Sequence, residues 1–273
     1  MLKIQGLSIE FQDVSPPFLA VQDFSLSMNP GEIVGIVGES GSGKTMTSLA
    51  LMGLLKRQAQ ITSGSMMFLG QNLLRKSQKE WQALRGKEIS MIFQEPMTSL
   101  NPVLTIGRQM EESLRLHTKM EAKERKERAL DMMRQVGLAQ PEKLYNCYPH
   151  QLSGGMRQRV MIGSALIGNP KLMIADEPTT ALDVTIQAQI LSLLKKMNQE
   201  HGTAILFISH DLRVIQSICS RVVVMYQGRI VESGPVQTVL HSPQAAYTKK
   251  LLSAIPNRAN SLRRDRKERI EGC

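Results

Sequence analysis

The segment Gly38-Glu39-Ser40-Gly41-Ser42-Gly43-Lys44-Thr45 constrains the fold of this chain more than any other feature. It satisfies the pattern GxxxxGK[ST] and lies between a short apolar strand predicted at 33–37 and a helix predicted at 44–55. Glycines let the backbone curl until successive N–H groups face inward, and the positive end of the following helix points at the same place. The segment therefore predicts a phosphate-binding loop. Lys44 would contact the β- and γ-phosphates of a nucleotide, and the Thr45 hydroxyl would bind Mg²⁺.

Two adjacent carboxylates end a second apolar strand, in the segment Leu172-Met173-Ile174-Ala175-Asp176-Glu177. Asp176 is then suited to hold the Mg²⁺ shell. Glu177 is the natural general base, because hydrolysis needs a carboxylate beside the attacking water. Taken alone, an acidic turn after a strand would explain the pair equally well. Its combination with the phosphate loop favours the catalytic interpretation.

A kinase, a GTPase or a helicase would carry the phosphate loop equally well, so a third segment is needed to separate these classes. Leu152-Ser153-Gly154-Gly155 precedes a helix predicted at 155–168, just upstream of the Asp-Glu strand. A serine with two glycines at a helix N-terminus forms another anion site. In isolation, a plain N-cap would be the more common interpretation.

The order of predicted elements indicates an α/β core with a helical block inserted into it. The alternation of apolar and polar residues predicts strands at 2–11 and 19–28, and short strands follow near 64–69 and 89–93. Helical segments then replace the strands, at 105–117, 121–136 and 155–168. After them the β/α alternation returns, with strands at 172–175, 204–208 and 221–225 and helices at 184–199 and 212–219.

The succession of these motifs resembles, motif for motif, the nucleotide-binding subunit of ATP-binding cassette (ABC) transporters. After the phosphate loop come Gln94, the LSGG segment, the Asp-Glu pair, Leu182-Asp183 and His210. The resemblance covers about residues 2–256. It implies a P-loop NTPase cassette of class α/β, with a RecA-like core, an N-terminal antiparallel β subdomain and a helical subdomain inserted at about 95–168. It also implies an ATPase domain at 1–256, followed by a basic C-terminal tail at 257–273 that we expect to be flexible.

The resemblance implies roles for residues outside the phosphate loop. Gln94 matches the glutamine that reaches Mg²⁺ and the attacking water and senses the membrane partner. Asp183 matches the loop that crosses the dimer interface, and His210 matches the switch histidine. The predicted catalytic residues are therefore Glu177, His210 and Gln94, and the predicted Mg²⁺ ligands are Thr45, Gln94 and Asp176.

Further matching residues are expected to bind ATP. The signature residues Ser153 to Gly155 would hold the γ-phosphate of ATP bound to the opposite subunit, and the Met at 156, where many family members carry Gln, is expected to be tolerated. Phe11 is the candidate for stacking on adenine. Phe18 competes with it, and a core phenylalanine remains the simpler alternative. The predicted ATP-binding residues are Phe11, Gly38, Glu39, Ser40, Gly41, Ser42, Gly43, Lys44, Thr45, Ser153, Gly154, Gly155 and Asp183.

Three segments look like the dipeptide, oligopeptide and nickel importers in particular: 93–102, 176–189 and 246–252. This resemblance implies an ATPase subunit that drives uptake of peptides or nickel chelates, with ATP and Mg²⁺ as cofactors. It implies two permeases and an external binding protein as partners, and a second homologous cassette, which forms a heterodimer with this chain or a homodimer when this chain is alone. Longer members continue into a Cys-rich extension for an iron–sulfur cluster. We expect no such cluster here, because the sequence stops at Cys273, and this shortness leans mildly toward a nickel or metallophore system.

Composition limits the remaining possibilities. The net charge of +10 would suit a nucleic-acid partner, but six Phe, four Tyr and one Trp offer little base stacking, so none is expected. The apolar runs fall short of the roughly 20 residues of a membrane span. We therefore expect a peripheral protein at the cytoplasmic face of the membrane.

A DNA-repair or translation ATPase of the same superfamily remains the alternative. Such proteins would carry long heptad repeats, zinc-binding cysteines or tandem cassettes.

Overall fold

Two β-sheets and a group of helices make up the part of the chain that the structure, a computed structural model, describes: residues 1–13, 16–94, 99–180 and 182–254. The first sheet is antiparallel, with the strand order β2-β1-β4-β5. Its alternating strands bury one face, on which Leu7, Ile9 and Phe24 are inaccessible to solvent. Its strands are β1 (Leu2–Phe11), β2 (Phe18–Met28), β4 (Ala59–Phe68) and β5 (Gln71–Asn72).

The second sheet has the order β10-β9-β3-β8-β7-β6 and forms the centre of the core. Neighbouring strands from β9 to β6 run parallel, and only β10 is antiparallel to its neighbour. The strands β3, β6, β7 and β8 are buried along their whole length, as expected where both faces are covered. The six strands are β3 (Ile33–Val37), β6 (Ile89–Ile92), β7 (Leu172–Asp176), β8 (Ala204–Ile208), β9 (Arg221–Tyr226) and β10 (Arg229–Pro235).

This topology decides where functional residues meet. The carboxyl ends of parallel strands lie at the same edge of a sheet, and ligands of open α/β sheets bind outside that edge. The phosphate loop follows β3, Gln94 follows β6, Glu177 follows β7 and His210 follows β8. The order of the strands therefore brings four distant parts of the sequence to one edge.

A helical block lies between β6 and β7 in the chain. The interior of the block is apolar, with Ile106, Met110, Met133 and Ile162 fully buried. A Cβ added at Gly163 would lie 2.9 Å from Cε of Met110, so this glycine permits close packing of two helices. The helices of the block are Ile106–Met110, Glu112–His117, Ala122–Gln135, Pro141–Leu144 and Gly154–Leu166.

The remaining helices pack on the two sheets. They are Lys44–Leu51, Gln78–Leu84, Val184–His201, Leu212–Ile218, Val236–His241 and Ala246–Ser253. Within the described residues, no helix is long and apolar enough to cross a membrane. Cys147 and Cys219 are free thiols, while Cys273 and the predicted tail at 257–273 lie outside the described residues.

Three sequence-based boundaries were wrong. The helix predicted to reach residue 55 ends at Leu51, because Gly53 turns the chain with φ of 62° and packs against the ring of Trp81. The strand predicted from 64 begins at Ala59, because β1 pairs with β4 over its whole length and Phe11 lies opposite Ala59. The single helix predicted at 105–117 is two helices separated by Glu111, whose carboxylate contacts Tyr145 and Arg125.

Candidate functional site

The phosphate loop is shaped by glycines that no other residue could replace without strain. Gly43 has φ of 98°, and a Cβ there would lie 2.6 Å from the carbonyl oxygen of Ala20. At Gly38, with φ of 157°, a Cβ would overlap the carbonyl oxygen of Met225. The loop is therefore clamped between the antiparallel sheet and the end of β9.

Lys44 is folded back inside this loop. Its Nζ donates hydrogen bonds to the carbonyl oxygens of Gly38 and Glu39, both at 2.8 Å, and to Oγ of Ser42 at 3.3 Å. Burial lowers the pKa of Lys44, and the nearby carboxylates of Glu177 and Asp176 oppose that effect. The arrangement keeps a desolvated cation in the loop, held by groups that an anionic ligand could replace.

Asp176 forms the buried floor beneath the loop. Its side chain is 1% exposed, and neither carboxylate oxygen has a hydrogen-bond partner of ordinary geometry in the described residues. Burial raises the pKa of Asp176, and Glu177 adds to this. The hydroxyls of Thr45 and Ser48 and the Lys44 ammonium oppose the rise. A buried carboxylate without hydrogen bonds is costly unless a cation approaches it.

Glu177 is held by three polar neighbours from different parts of the chain. Its Oε1 lies 3.2 Å from Nδ1 of His210, and its Oε2 accepts hydrogen bonds from Thr180 at 3.1 Å and from Gln94 at 3.5 Å. The residue has φ of 49°, a left-handed conformation that is unusual for a non-glycine residue, and its N–H donates to the carbonyl oxygen of Ile208. The turn thereby directs a largely buried carboxylate toward the loop.

The phosphate loop, Gln94, Glu177 and His210 line one cleft with a volume of about 380 Å³, whereas the buried Asp176 does not line it. It unites residues of four strand ends with an aromatic wall from the antiparallel sheet. The rings of Phe11 and Phe18 have centroids 6.4 Å apart, and Phe18 is 57% exposed whereas Phe11 is partly buried. The predicted site residues that line the cleft are Phe11, Gly38, Ser40, Gly41, Gly43, Lys44, Thr45, Gln94, Glu177 and His210.

Two predicted residues of the loop do not line the cleft. The backbone N–H of Glu39 donates to the hydroxyl of Tyr247 at 3.0 Å. Ser42 is buried, and its Oγ accepts from Lys44. Both residues therefore stabilise the loop through these hydrogen bonds.

The signature segment and Asp183 do not line the cleft either. Ser153 caps its helix by accepting from the N–H of Met156 at 3.3 Å, and Asp183 caps the next long helix by accepting from Ile186 at 2.9 Å. Ser153 and Gly154 are exposed. A Cβ at Gly154 would meet nothing within 4 Å, and its φ is not positive, so the packing of this chain does not require glycine there.

Three contacts of the site were not predicted from the sequence. The Thr180 hydroxyl donates to the carboxylate of Glu177, and the Gln158 amide donates to the carbonyl oxygen of Pro178, the residue after Glu177. The Tyr247 hydroxyl accepts from the N–H of Glu39 in the phosphate loop. Gln158 is 1% exposed and spans from the signature helix to the turn of Glu177. All three lie within segments that resemble the family, but only their hydrogen bonds indicate what they do.

A match to a protein-family model identifies the family of this chain. The model described as ABC transporter matches residues 21–180, more than half of the chain. The chain belongs to the ABC transporter family. Its fold agrees with this assignment, since it is similar to the dimeric ATP-binding cassette MJ0796 in a post-hydrolysis state bound to ADP and Pi. The TM-score is 0.80 at 30% identity, over 86% of this chain and 99% of the other.

Curated relatives extend the similarity to nearly the whole chain. The dipeptide transport ATP-binding protein DppD of Escherichia coli (strain K12) is 48% identical over 97% of this chain and 81% of its own length. The oligopeptide transport ATP-binding protein OppD of Bacillus subtilis (strain 168) is 47% identical over 96% of this chain and 73% of its own. The cassette is therefore an ATP-binding and ATP-hydrolysing subunit of the ABC importer type. The alternative of a DNA-repair or translation ATPase is not supported.

The buried position of Lys44 generates a first prediction. Lys44→Ala should weaken MgATP binding about 10- to 100-fold, because a charge-assisted hydrogen bond contributes about 1.5–3 kcal/mol, and ATP hydrolysis should be abolished. Isothermal titration calorimetry and a phosphate-release assay measure both effects. The exposed Lys79→Ala is the matched control for loss of one positive charge. Turnover close to normal in Lys44→Ala would contradict the phosphate-loop assignment.

Proposed function

We propose that this chain is the ATPase subunit of a peptide importer and that it acts at the cytoplasmic face of the membrane, coupled to permeases. The main support is similarity over nearly the whole chain to relatives whose names state dipeptide and oligopeptide transport. The cleft supports the ATPase part of the proposal. In it, Lys44 and the loop N–H groups would bind the phosphates, and Phe11 or Phe18 would stack on adenine.

The residues present fit a Mg²⁺ ion beside the phosphates. The buried, unpartnered carboxylate of Asp176 and the hydroxyl of Thr45 are hard oxygen ligands of the kind that Mg²⁺ prefers. Gln94 would add a neutral amide oxygen. When bound, the ion would neutralise charge on the phosphate oxygens. Its positive charge would also relieve the cost of keeping the Asp176 carboxylate desolvated.

Glu177 is the proposed general base. A water attacking the γ-phosphate must lose a proton, and the carboxylate among the residues that line the cleft is that of Glu177. Thr180 and Gln94 hold one of its oxygens, and His210 lies against the other, so the carboxylate cannot rotate freely. His210 is 61% exposed at its side chain. We therefore propose that it also reports the state of the γ-phosphate to a facing subunit.

A second cassette would complete the site. Ser153 and Gly154 lie at an exposed helix N-terminus that does not line the cleft of their own chain, and its free N–H groups suit a phosphate. The similar cassette MJ0796 is dimeric. We infer that the γ-phosphate bridges Lys44 of one subunit and Ser153 of the other. Hydrolysis would remove this bridge and let the two halves separate.

This arrangement predicts the behaviour of a base-removed variant. Glu177→Gln retains the shape of the side chain but cannot accept the proton, so it should bind MgATP and hydrolyse it about 100-fold more slowly, or slower. The variant should accumulate as an ATP-dependent dimer of cassettes. Size-exclusion chromatography with light scattering, with and without ATP, measures this.

Gly154→Asp is the companion variant, because it adds a negative charge at the exposed signature without a clash inside its own chain. Combined with Glu177→Gln, it should bind ATP normally and remain monomeric. A dimer of unchanged stability in the combined variant would contradict the proposed sandwich. Normal hydrolysis by Glu177→Gln alone would exclude Glu177 as the base.

A groove beside the helical block is the proposed contact for a permease. It has a volume of about 230 Å³, and its lining includes Gly86, Met91, Gln109 and Glu112. The segment 101–104 next to it is held by the amide of Gln109, whose oxygen accepts from Asn101 at 2.8 Å and whose nitrogen donates to the carbonyl oxygens of Asn101 and Leu104.

The same segment presents an apolar side chain to solvent. Val103 is 75% exposed although its loop is rigidly held, which suits a contact with a protein partner. We propose that Gln94 and the helical block around residues 95–140 contact the permease; within that range, 95–98 lie outside the described residues.

Cysteine crosslinking distinguishes the two proposed contact faces. With Cys147, Cys219 and Cys273 replaced by alanine, a single cysteine at Val103 should crosslink to an integral membrane protein in isolated membranes. A cysteine at Val184, which is 83% exposed beside Asp183, should crosslink to a second cassette instead. The opposite pattern would contradict the docking assignment.

The cargo is tested separately from the ATPase. Cells that lack this chain should lose uptake of labelled di- and tripeptides, and the unmodified chain should restore it whereas Glu177→Gln should not. Nickel complexes are the alternative cargo that the sequence leaves open, and their uptake is measured in the same cells. Restored nickel uptake with unaffected peptide uptake would overturn the peptide proposal and leave the ATPase assignment intact.

A further inference from the structure

A hydrogen bond joins the phosphate loop to a helix at the far end of the described chain. The hydroxyl of Tyr247 accepts from the backbone N–H of Glu39 at 3.0 Å, although the two residues are 208 positions apart. Tyr247 lies in the first turn of the helix Ala246–Ser253. Its contact reaches the loop at the residue that directly follows Gly38, where the chain leaves β3.

The tyrosine is held in place from two sides by the edge of the central sheet. Its ring packs against that of Tyr226, the last residue of β9, with centroids 4.3 Å apart. The carboxylate of Glu232 on β10 accepts from the N–H groups of Gln244 at 2.8 Å and Ala245 at 3.1 Å. A negative charge at a helix N-terminus is stabilising, so Glu232 anchors the start of the helix that carries Tyr247.

The peptide group on each side of Glu39 is thus held by a different partner. Tyr247 binds its N–H, and the Lys44 ammonium binds its carbonyl oxygen. Once Lys44 turns to a nucleotide phosphate, it can no longer saturate the carbonyl oxygens of Gly38 and Glu39. The hydrogen bond that Tyr247 accepts from the N–H of Glu39 does not involve Lys44, so it can persist when Lys44 moves.

We propose that Tyr247 is a positioning residue for nucleotide binding: it keeps the entry of the phosphate loop in its binding shape while Lys44 exchanges loop carbonyls for phosphate oxygens. Tyr247 does not line the cleft and acts through Glu39. The inference rests on the proposed phosphate site in residues 38–45. It gives the helix Ala246–Ser253 a part in ATP affinity, beyond packing on the sheet.

The test uses the full chain with Tyr247→Phe, which removes the hydroxyl and retains the ring contact. The Kd for MgATP and the KM should rise about 3- to 10-fold, the range set by one neutral hydrogen bond. The kcat at saturating ATP should stay within about twofold, because Glu177 and its partners are untouched. Tyr226→Phe, which removes the hydroxyl of the facing ring, is the matched control and should leave Kd, KM and kcat unchanged.

A second variant tests whether the helix anchor acts through the same bond. Glu232→Ala should raise the Kd for MgATP, whereas Glu232→Gln, which keeps one acceptor oxygen for one of the two N–H groups, should raise it less. If Tyr247 transmits the effect, the double variant Glu232→Ala with Tyr247→Phe should bind MgATP no more weakly than Tyr247→Phe alone.

Each failure has a distinct meaning. A Tyr247→Phe chain with unchanged Kd for MgATP, or with a loss confined to kcat or to nucleotide-free thermal stability, would overturn the positioning role. Additive effects of Glu232→Ala and Tyr247→Phe would overturn the shared route. Unchanged MgATP affinity in Lys44→Ala would instead overturn the phosphate site on which the inference rests.

Discussion

The parallel register of β3, β8, β7 and β6 is the constraint on which the rest of the site depends. Ile36 pairs with Ile208, and Ile208 pairs with Asp176, so the strands that precede the phosphate loop, His210 and Glu177 end at the same level. These strands are buried on both faces, and a shift of one residue would move every side chain to the opposite packed layer, where the neighbouring side chains fit different shapes. The hydrophobic core thereby specifies distances between polar groups that are more than 100 residues apart in sequence.

Within this frame, the charges are arranged in advance of any ligand. Lys44 is desolvated among carbonyl oxygens, Asp176 is desolvated without a hydrogen bond of ordinary geometry in the described residues, and Glu177 is directed into the cleft by a left-handed backbone conformation. Each of these features costs folding free energy in the free protein. A bound phosphate and cation would relieve these costs. The site is therefore preorganised for an anionic ligand, which is how electrostatic stabilisation avoids reorganisation during the reaction.

The cleft of one chain contains only part of the predicted constellation. Ser153 and Asp183 are exposed helix caps that each accept a local hydrogen bond, and the fold of this chain does not bring them into its own cleft. Gln158 links the signature helix to Pro178, directly after the proposed base. The surface that would receive one nucleotide is thus physically connected to the groups that would hydrolyse another.

The sequence alone determined the motifs, the α/β class and the family, because the phosphate loop and LSGG segment require particular residue types at fixed local spacing. It also located most helices and strands, since their apolar periodicity is a local property. Helix ends such as Leu51 were misplaced, because the packing of Trp81 against Gly53 decides them. Only the tertiary structure decided that Thr180, His210 and Gln94 share one carboxylate and that Tyr247 reaches Glu39. Hydrogen bonds between distant segments depend on strand order and helix docking, which no local pattern of residues encodes.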